Sequence, residues 1–128
     1  MDKNNHNLIS ILTSMLNQFS SDSNISVTLK NVLQEITSLI DAEASSFFIY
    51  EPKEKQLICQ SCTGPVDITN LTLNSDQGIV GEVFTSKKSK LIEDVSKDAA
   101  HLNSVDSKTG FQTQSMMTVP VIFDNNVY

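Results

Sequence analysis

Glycine and proline are scarce in this chain of 128 residues, which contains only four glycines and three prolines. So few residues of these types argue against a chain that is dominated by loops. Basic residues are also few, since nine lysines and arginines stand against fifteen acidic residues. The resulting formal net charge of −6 argues against a nucleic-acid partner, because an acidic surface repels phosphate backbones.

Long apolar runs are absent as well. No run approaches the roughly 18 apolar residues that cross a bilayer, so we expect no membrane partner. The opening MDKNNHNLIS lacks the charged start, the apolar stretch and the small-residue cleavage site of a secretory signal. These two features predict a cytoplasmic location. Hydrophobic residues make up 39% of the chain, which is enough for one domain with a real core.

Cys59 and Cys62 are the only cysteines, and they form a C-x-x-C pair within LICQSC. A zinc site of this kind needs a second pair of ligands, and no other residues have the matching spacing. Thioredoxin-like pairs open a helix, whereas this pair lies in a predicted strand, where residues three apart point to opposite faces. The pattern therefore predicts two ordinary reduced thiols.

Two helical patterns open the chain. The first covers residues 8–19 and has an apolar stripe at spacings of four, three and four, formed by Leu8, Leu12, Met15 and Phe19. The second runs from about Asn24 to Asp41 and has one broad apolar face. The second face is predicted to be core. The first stripe is open to two interpretations, core packing or an interface with a second copy of the chain.

Strands are predicted at 45–51, 56–62, 68–73, 90–95 and 114–123, with a short helix starting at Gly78. Residues 96–110 are a polar loop with room for one helical turn. Pro120 cannot donate to a sheet, so an edge position or a bulge is expected there. The order of helices, hairpin and further strands indicates an α+β fold with an antiparallel sheet.

The last residues, DNNVY, read as a hairpin turn followed by the opening of a sixth strand. We therefore expect the chain to be a piece of a longer protein that ends inside its last hairpin. Residues 1–22 are interpreted as an N-terminal helical segment suited to dimerisation. Residues 23–128 are interpreted as the folded domain itself.

Residues 78–121 contain, in order, G-I-x-G, an aspartate after a strand, D-x-x-T-G-F-x-T-x-S and an apolar strand with a proline. This stretch resembles the middle of a GAF domain, of the type found in cyclic-nucleotide phosphodiesterases and bacterial adenylyl cyclases. The flanking helices and hairpin fit, so the resemblance covers nearly the whole chain. The motif residues are Gly78, Ile79, Gly81, Asp94, Asp106, Thr109, Gly110, Phe111, Thr113, Ser115 and Pro120.

The resemblance implies an antiparallel sheet of five or six strands with helices on both faces. It also implies a regulatory domain of a signalling protein, without catalysis of its own, that binds a small molecule between the sheet and its loops. Cyclic AMP or cyclic GMP is the leading candidate ligand, and a homodimer with a C-terminal output domain outside this chain is expected. A fold shared among many functions leaves a second hypothesis open, a ligand-free dimerisation module.

The ligand-contacting positions implied by the resemblance are Ser46, Thr63, Ile79, Val80, Leu102, Asp106, Thr109 and Thr113. In this interpretation the loop supplies a carboxylate and two hydroxyls, while the start of the short helix supplies main-chain N–H donors for a phosphate. An aromatic residue often stands where this chain has Leu102, and an acid that helps read guanine is replaced by Thr63. The resemblance therefore does not imply guanine specificity.

Plainer interpretations of the same residues are also open. Asp106, Thr109 and Thr113 can instead cap turns and satisfy a buried loop. His101 stands alone in a polar loop, which is typical of a solvent-exposed histidine rather than a haem or metal ligand. Neither cysteine has the neighbouring histidine of bilin-binding GAF domains. An enzyme is the third hypothesis, because methionine-sulfoxide reductase shares the fold, but its cysteines are placed elsewhere in the pattern.

Overall fold

The structure, a computed structural model, describes residues 3–21, 24–100, 106 and 109–127. Its helices are α1 (Lys3–Ser21), α2 (Ile25–Leu39) and α3 (Gly78–Ser86), with a 3-10 helix at Val95–Lys97. Its strands are β1 (Ser45–Glu51), β2 (Gln56–Thr63), β3 (Thr72–Asn74), β4 (Lys90–Ile92), β5 (Met116–Thr118), β6 (Ile122–Phe123) and β7 (Asn126–Val127). The predicted helices and strands are thus all present, although several are shorter than the sequence pattern indicates.

The chain divides into two units. The first comprises Met1–Phe47 and Ser61–Asp67, and the second comprises Phe48–Gln60 and Ile68–Tyr128. The strands β1 and β2 contribute residues to both.

In the first unit, α2 begins where Asn24 caps it, because the Asn24 side chain accepts a hydrogen bond from the N–H of Ser26 at 3.2 Å. Its apolar face buries Val32 and Leu33, as the periodicity predicts, but Ile25, Leu39 and Ile40 at the two ends of that face are exposed rather than in the core. The neighbouring α1 contacts α2. The Leu8 and Phe19 side chains of the predicted α1 stripe lie outside the described part of the structure, and Leu12 is exposed.

The strands β1, β2 and β3 form one sheet in that order. Only four residues join β1 to β2, which is too short for a parallel crossover, so the two strands make the predicted hairpin. The third strand is antiparallel to β2, with Leu57 opposite Leu73. It begins later than the predicted 68–73, because Asn70 has a left-handed φ of 67° and its N–H bonds to the carbonyl of Cys59.

In the second unit, β4 pairs antiparallel with β5, with Leu91 opposite Met117. The predicted strand 90–95 stops at Ile92, because Asp94 turns the chain and caps the 3-10 helix. Ile92 and Val95 pack with Ile79 of α3 in the core of this unit. The core thereby fixes α3 against the strand that precedes the polar loop.

The predicted strand 114–123 is divided into β5 and β6, with Pro120 between them. The break agrees with the expectation for a residue that has no N–H to donate. The turn after β6 is made by Asp124 and Asn125, whose φ angles are 49° and 62°. Two successive left-handed residues define a type I′ hairpin turn, so the predicted sixth strand is present as β7.

Candidate functional site

The start of α3 offers unpaired main-chain donors. Gly78 opens the helix with a φ of 72°, a left-handed conformation that glycine adopts without strain. The first N–H groups of any helix have no acceptor inside it, and the helix dipole gives this end a partial positive charge. This end of α3 is therefore suited to an anionic group such as a phosphate.

Gly81 lets α3 approach the chain that precedes it. A Cβ at this position would lie 3.0 Å from the carbonyl oxygen of Ser75 and 3.1 Å from the carbonyl carbon of Asp76. Both distances are tighter than ordinary Cβ contacts, so a larger residue would push the helix start away from residues 75 and 76. Gly81 therefore marks a close approach of two backbone segments.

Ile79 and Val80 follow Gly78 in the first turn of α3. The Ile79 side chain is only 4% exposed and packs on Ile92 and Val95. That side chain is part of the core, which leaves the main-chain N–H as the group of Ile79 that a ligand could reach. Val80 is half-buried. The resemblance implies that both positions contact a ligand through their backbone, and burial of Ile79 is compatible with that role.

Asp106 and Thr113 bind each other across the loop. One carboxylate oxygen of Asp106 accepts from the N–H of Thr113 at 3.0 Å, and the other accepts from the Thr113 hydroxyl at 3.0 Å. A hydrogen bond to a charged acceptor is stronger than a neutral one. The carboxylate thus ties the loop to the segment that leads into β5.

Thr109 and Gly110 complete the turn. The N–H of Gly110 donates to the carbonyl of Asp106 at 2.8 Å, and Gly110 has a φ of 71°. The Thr109 hydroxyl accepts from the N–H of Phe111 at 3.3 Å and lies 3.4 Å from the Asp106 carbonyl oxygen. These contacts are the ones expected if the loop residues cap a turn. Toward a ligand, the hydroxyl oxygens of the loop then act as acceptors.

The polar side chains of this loop therefore act as hydrogen-bond acceptors toward a ligand. A carboxylate cannot donate, and the proton of the Thr113 hydroxyl is already given to Asp106. A ligand group that meets the loop should accordingly carry N–H or O–H donors, as a nucleobase amino group or a ribose hydroxyl does. A phosphate is repelled by the same carboxylate and is better placed at the start of α3.

Lys90 makes ion pairs that link the elements on either side of it in the chain. Its ammonium group lies 2.6 Å from a carboxylate oxygen of Glu82 on α3 and 2.9 Å from one of Asp98, after the 3-10 helix. The hydrogen bonds to Glu82 and then to Asp98 raise the pKa of Lys90 above its ordinary value of 10.5. One cation thereby joins α3, β4 and the chain entering the polar loop.

Asp94 has a capping role. One of its carboxylate oxygens accepts from the hydroxyl of Ser96 at 2.6 Å and from the Ser96 N–H at 3.1 Å. The other lies 3.3 Å from the ammonium of Lys97. The Ser96 hydroxyl first, and then Lys97, lower the pKa of Asp94 below its ordinary value of 3.8. This motif aspartate starts the 3-10 helix.

The remaining predicted residues lie elsewhere. Ser46 and Thr63 belong to the first unit, where Ser46 is exposed on β1. The Thr63 hydroxyl lies 3.0 Å from the hydroxyls of both Thr37 and Ser45. Leu102 falls outside the described residues, as does His101.

Thr37 and Ser45 are polar residues that no sequence motif marks. Their hydroxyl oxygens are 2.7 Å apart, and Thr37 also donates to the carbonyl of Leu33 at 2.6 Å. The available signal was the period of two along β1, which puts Ser45 and Ser46 on opposite faces. The partly buried serine is Ser45, whereas the resemblance pointed to Ser46.

Two of the open clefts in the described part of the chain lie in the first unit. The larger, of about 720 Å³, is lined by residues of α1 and α2, including Gln18 and Glu35. The amide nitrogen of Gln18 donates to Glu35 at 2.7 Å there. The smaller cleft has a volume of about 470 Å³ and is lined by Gln34, Thr37, Ser38, Thr63 and Gly64.

Cys59 and Cys62 are both buried, and neither is in a disulfide. Cys62 donates to a carboxylate oxygen of Asp67 at 3.3 Å. Throughout the described ranges, no group of three or more His, Cys, Asp or Glu side chains could hold a metal ion. Of the helices in the same part of the chain, none combines the length and the apolarity needed to cross a bilayer.

Comparison with known families assigns the fold. The sequence model described as GAF domain matches residues 22–128, and the chain therefore belongs to the GAF domain family. It is an α+β protein of the GAF fold. GAF domains are regulatory and sensor modules of signalling proteins.

Among relatives, the chain is 22% identical over 130 residues to the rod cGMP-specific 3′,5′-cyclic phosphodiesterase subunit alpha of Bos taurus. The match covers 91% of this chain but only 15% of that relative, so the chain spans a small part of its length.

Among solved structures, the GAF domain of a phosphoenolpyruvate-protein phosphotransferase from Coxiella burnetii is similar, with a TM-score of 0.86 and 18% identity. That match covers 98% of this chain and 75% of the other. A free methionine-R-sulfoxide reductase from Neisseria meningitidis has a TM-score of 0.73 and 14% identity, over 91% of this chain and 66% of that one. At these identities the two structures support the shared fold and no more.

Proposed function

We propose that this chain is the ligand-binding sensor of a cytoplasmic signalling protein, with a cyclic nucleotide as its ligand. Residues 23–128 form the sensor domain in this proposal, and an output domain follows it. The chain's role is regulatory rather than catalytic. The observation that carries the proposal is the presence, in one unit, of a helix start at Gly78 that is suited to an anion and of a loop from Asp106 to Thr113 that offers acceptors.

A cyclic nucleotide has the two kinds of group that these features accept. Its phosphate is an anion without a hydrogen-bond donor, suited to the main-chain N–H groups of Ile79 and Val80. Its ribose hydroxyl and base amino group are donors, suited to Asp106, Thr109 and Thr113. The likeness to a cGMP-specific phosphodiesterase over most of this chain supports the same ligand class. Base preference stays open, because Thr63 stands where some GAF domains have an acid.

Calorimetric titration tests this proposal. Cyclic AMP and cyclic GMP are titrated separately into the chain, with 5′-AMP as a control that carries a doubly charged phosphate. We expect heat from at least one cyclic nucleotide. Thr109→Ala should weaken that binding by about 1 kcal/mol, and Asp106→Ala by more, because a charged acceptor is lost. The absence of heat from both cyclic nucleotides at about millimolar concentration, where binding is worth roughly 4 kcal/mol, would reject this ligand class.

A second candidate function is a dimerisation module that binds no ligand. It is favoured by α1, where the apolar side chains of Ile9, Leu12 and Leu16 are exposed at helical spacing. We propose that residues 1–22 pair with the same segment of a second copy about a two-fold axis. Burial of three large apolar side chains on each copy would stabilise such a pair.

Sedimentation distinguishes an interface from an exposed helix face. Leu12→Ser with Leu16→Ser should convert the dimer to a monomer, whereas Thr13→Ser with Asn17→Ser, on the same helix, should leave it dimeric. A wild-type monomer at about 100 μM, a concentration that favours even weak association, would reject this function. A dimer that survives the two leucine substitutions would place its interface elsewhere.

A further inference from the structure

The hydroxyls of Thr37, Ser45 and Thr63 form a triangle in the first unit, with sides of 2.7, 3.0 and 3.0 Å. Thr37 is in α2, and the other two residues are in β1 and β2. The Thr37 oxygen also lies 2.6 Å from the carbonyl oxygen of Leu33, a short distance for a hydrogen bond. The cluster is therefore a compact group of four oxygen atoms.

This triangle has too few protons for its contacts. Each hydroxyl carries one proton, so three protons are available. Four oxygen pairs lie at 3.0 Å or less, the three sides of the triangle and the contact between Thr37 and Leu33. The carbonyl can only accept. At least one pair of oxygens thus faces each other with no proton between them.

The proton deficit makes the cluster selective. An incoming donor bonds to an outward lone pair of the Thr63 oxygen and takes no proton away from the cluster. An incoming acceptor must instead draw a proton outward from Thr63, which leaves a second oxygen pair without one. Unpaired acceptors in a partly buried place are costly. The triangle should therefore favour hydrogen-bond donors and disfavour anions.

A ligand can reach this cluster. Thr37 and Thr63 line the cleft of about 470 Å³, together with Gln34, Ser38 and Gly64. Gln34 and Ser38, which also line the cleft, carry an amide oxygen and a hydroxyl oxygen that can accept hydrogen bonds. The local charge also favours a cation, since residues 24–47 and 61–67 contain four carboxylates and one lysine: Glu35, Asp41, Glu43, Asp67 and Lys30.

We propose that this cleft binds the ammonium group of a small primary amine, with the Thr63 hydroxyl oxygen as its central acceptor. An ammonium group has three donors and no acceptor, which suits a cleft whose lining residues Thr63, Gln34 and Ser38 each carry an acceptor oxygen. The residues that line the site all belong to the first unit and none to the Asp106 loop, so the proposal does not depend on whether the chain binds a cyclic nucleotide. It makes the first unit a sensor for amines.

Chemical-shift mapping of the amide N–H groups tests the proposal with two matched probes. Ethylammonium chloride and sodium acetate are titrated separately into the uniformly ¹⁵N-labelled chain at equal ionic strength. We expect ethylammonium to shift the signals of Thr63 and Gly64 with a dissociation constant of about millimolar or weaker, as suits a ligand of so few atoms. Acetate should leave those two signals in place.

Three substitutions at the site complete the test. Thr63→Val, which keeps the shape and removes the oxygen, should weaken ethylammonium binding by about tenfold. Thr63→Ser should retain it within about twofold, and the control Thr72→Val on β3 should have no effect. Thr37→Val leaves two protons for two remaining contacts, the 3.0 Å pair of Ser45 and Thr63 and the 3.5 Å contact of Ser45 with the Leu33 carbonyl oxygen. It should therefore reduce the preference for ethylammonium over acetate, which gives an independent reading if Thr63→Val does not fold.

Three results would overturn the proposal. They are equal shifts with acetate and ethylammonium at Thr63 and Gly64, no shift with ethylammonium at those signals, and unchanged binding in Thr63→Val. If Thr63→Val is unfolded, an unchanged preference in Thr37→Val has the same force.

Discussion

Asp106 and Thr113 are joined by two hydrogen bonds of 3.0 Å: one carboxylate oxygen of Asp106 accepts from the N–H of Thr113, and the other accepts from its hydroxyl. The pair closes the turn of which Gly110 is the left-handed residue. The carboxylate therefore has a structural role before any ligand arrives. A ligand that also used Asp106 would add donors to an acceptor that the fold already holds in position, which is the preorganised kind of site.

Removal of the carboxylate should destabilise the domain. We expect Asp106→Ala to lower the free energy of unfolding by about 2 kcal/mol, because two donors of Thr113 lose a charged acceptor. Asp76→Ala, at an exposed aspartate before α3, is the matched control and should change it by less than about 0.5 kcal/mol. Urea denaturation followed by circular dichroism measures both. Equal effects of the two substitutions would show that the Asp106 contacts do not hold the loop.

The Thr113 hydroxyl should be coupled to Asp106. Thr113→Val removes one of the two hydrogen bonds and should lower the free energy of unfolding by about 1 kcal/mol. In the Asp106→Ala background the same substitution should have almost no effect, since its partner is gone. A double-mutant cycle from urea denaturation gives the coupling directly. Additive effects would contradict the pairing of the two side chains.

Gly64 should not tolerate a side chain. Its φ is 123°, and a Cβ there would lie 2.6 Å from the Cβ of Ala44. We expect Gly64→Ala to lower the free energy of unfolding by about 3 kcal/mol through backbone strain and overlap. Combination with Ala44→Gly should relieve the 2.6 Å overlap, but it should leave the backbone strain and the 3.1 Å contacts with the Cα of residue 44 and the Glu43 carbonyl oxygen. Thermal unfolding tests this order of stabilities, and a neutral Gly64→Ala would reject the local geometry.

The contribution of Asp94 to stability should depend on pH in the acid range. Its pKa is lowered in the folded state, so its charged form is favoured by folding. The stabilisation is present above the ordinary value of 3.8 and is lost as the pH falls through the lower, folded pKa.

Comparison of wild type with Asp94→Asn at a series of pH values measures that effect. The difference in free energy of unfolding should be constant from about pH 7 to pH 5 and should shrink below about pH 4. Ser96→Ala removes the largest cause of the shift and should reduce the pH-dependent part. A difference that is the same at all pH values would contradict the hydrogen bonds assigned to Asp94.

The elements that the sequence predicted well are those with local causes. Periodicity locates α2, and the tolerance of Asp124 and Asn125 for left-handed φ locates the last hairpin turn. The short strands were less predictable, because β3 begins only after Asn70 turns, and alternation of side chains does not reveal that turn. The extent of β4 likewise depends on Asp94, whose capping bonds are formed with residues beyond the apparent strand.

The residues of the candidate site could be predicted from a sequence motif, but the hydrogen bonds between them could not. The order of Gly78, Gly81, Asp106 and Thr113 is visible in the sequence, whereas the mutual bonding of Asp106 and Thr113 is a tertiary relationship. The hydroxyl triangle has no sequence motif at all. Its residues come from three separate elements, and only packing of α2 on the hairpin brings the oxygens together.

Mapping of cyclic-nucleotide contacts on the folded chain tests the central proposal most directly. Cyclic AMP and cyclic GMP are titrated into the ¹⁵N-labelled chain, and the amide signals of Ile79, Val80, Thr109 and Thr113 are followed. We predict saturable shifts of the α3-start signals and of the loop signals at one common dissociation constant. Shifts confined to one of the two regions, or no shift with either nucleotide, would contradict a site formed by the start of α3 and the Asp106 loop.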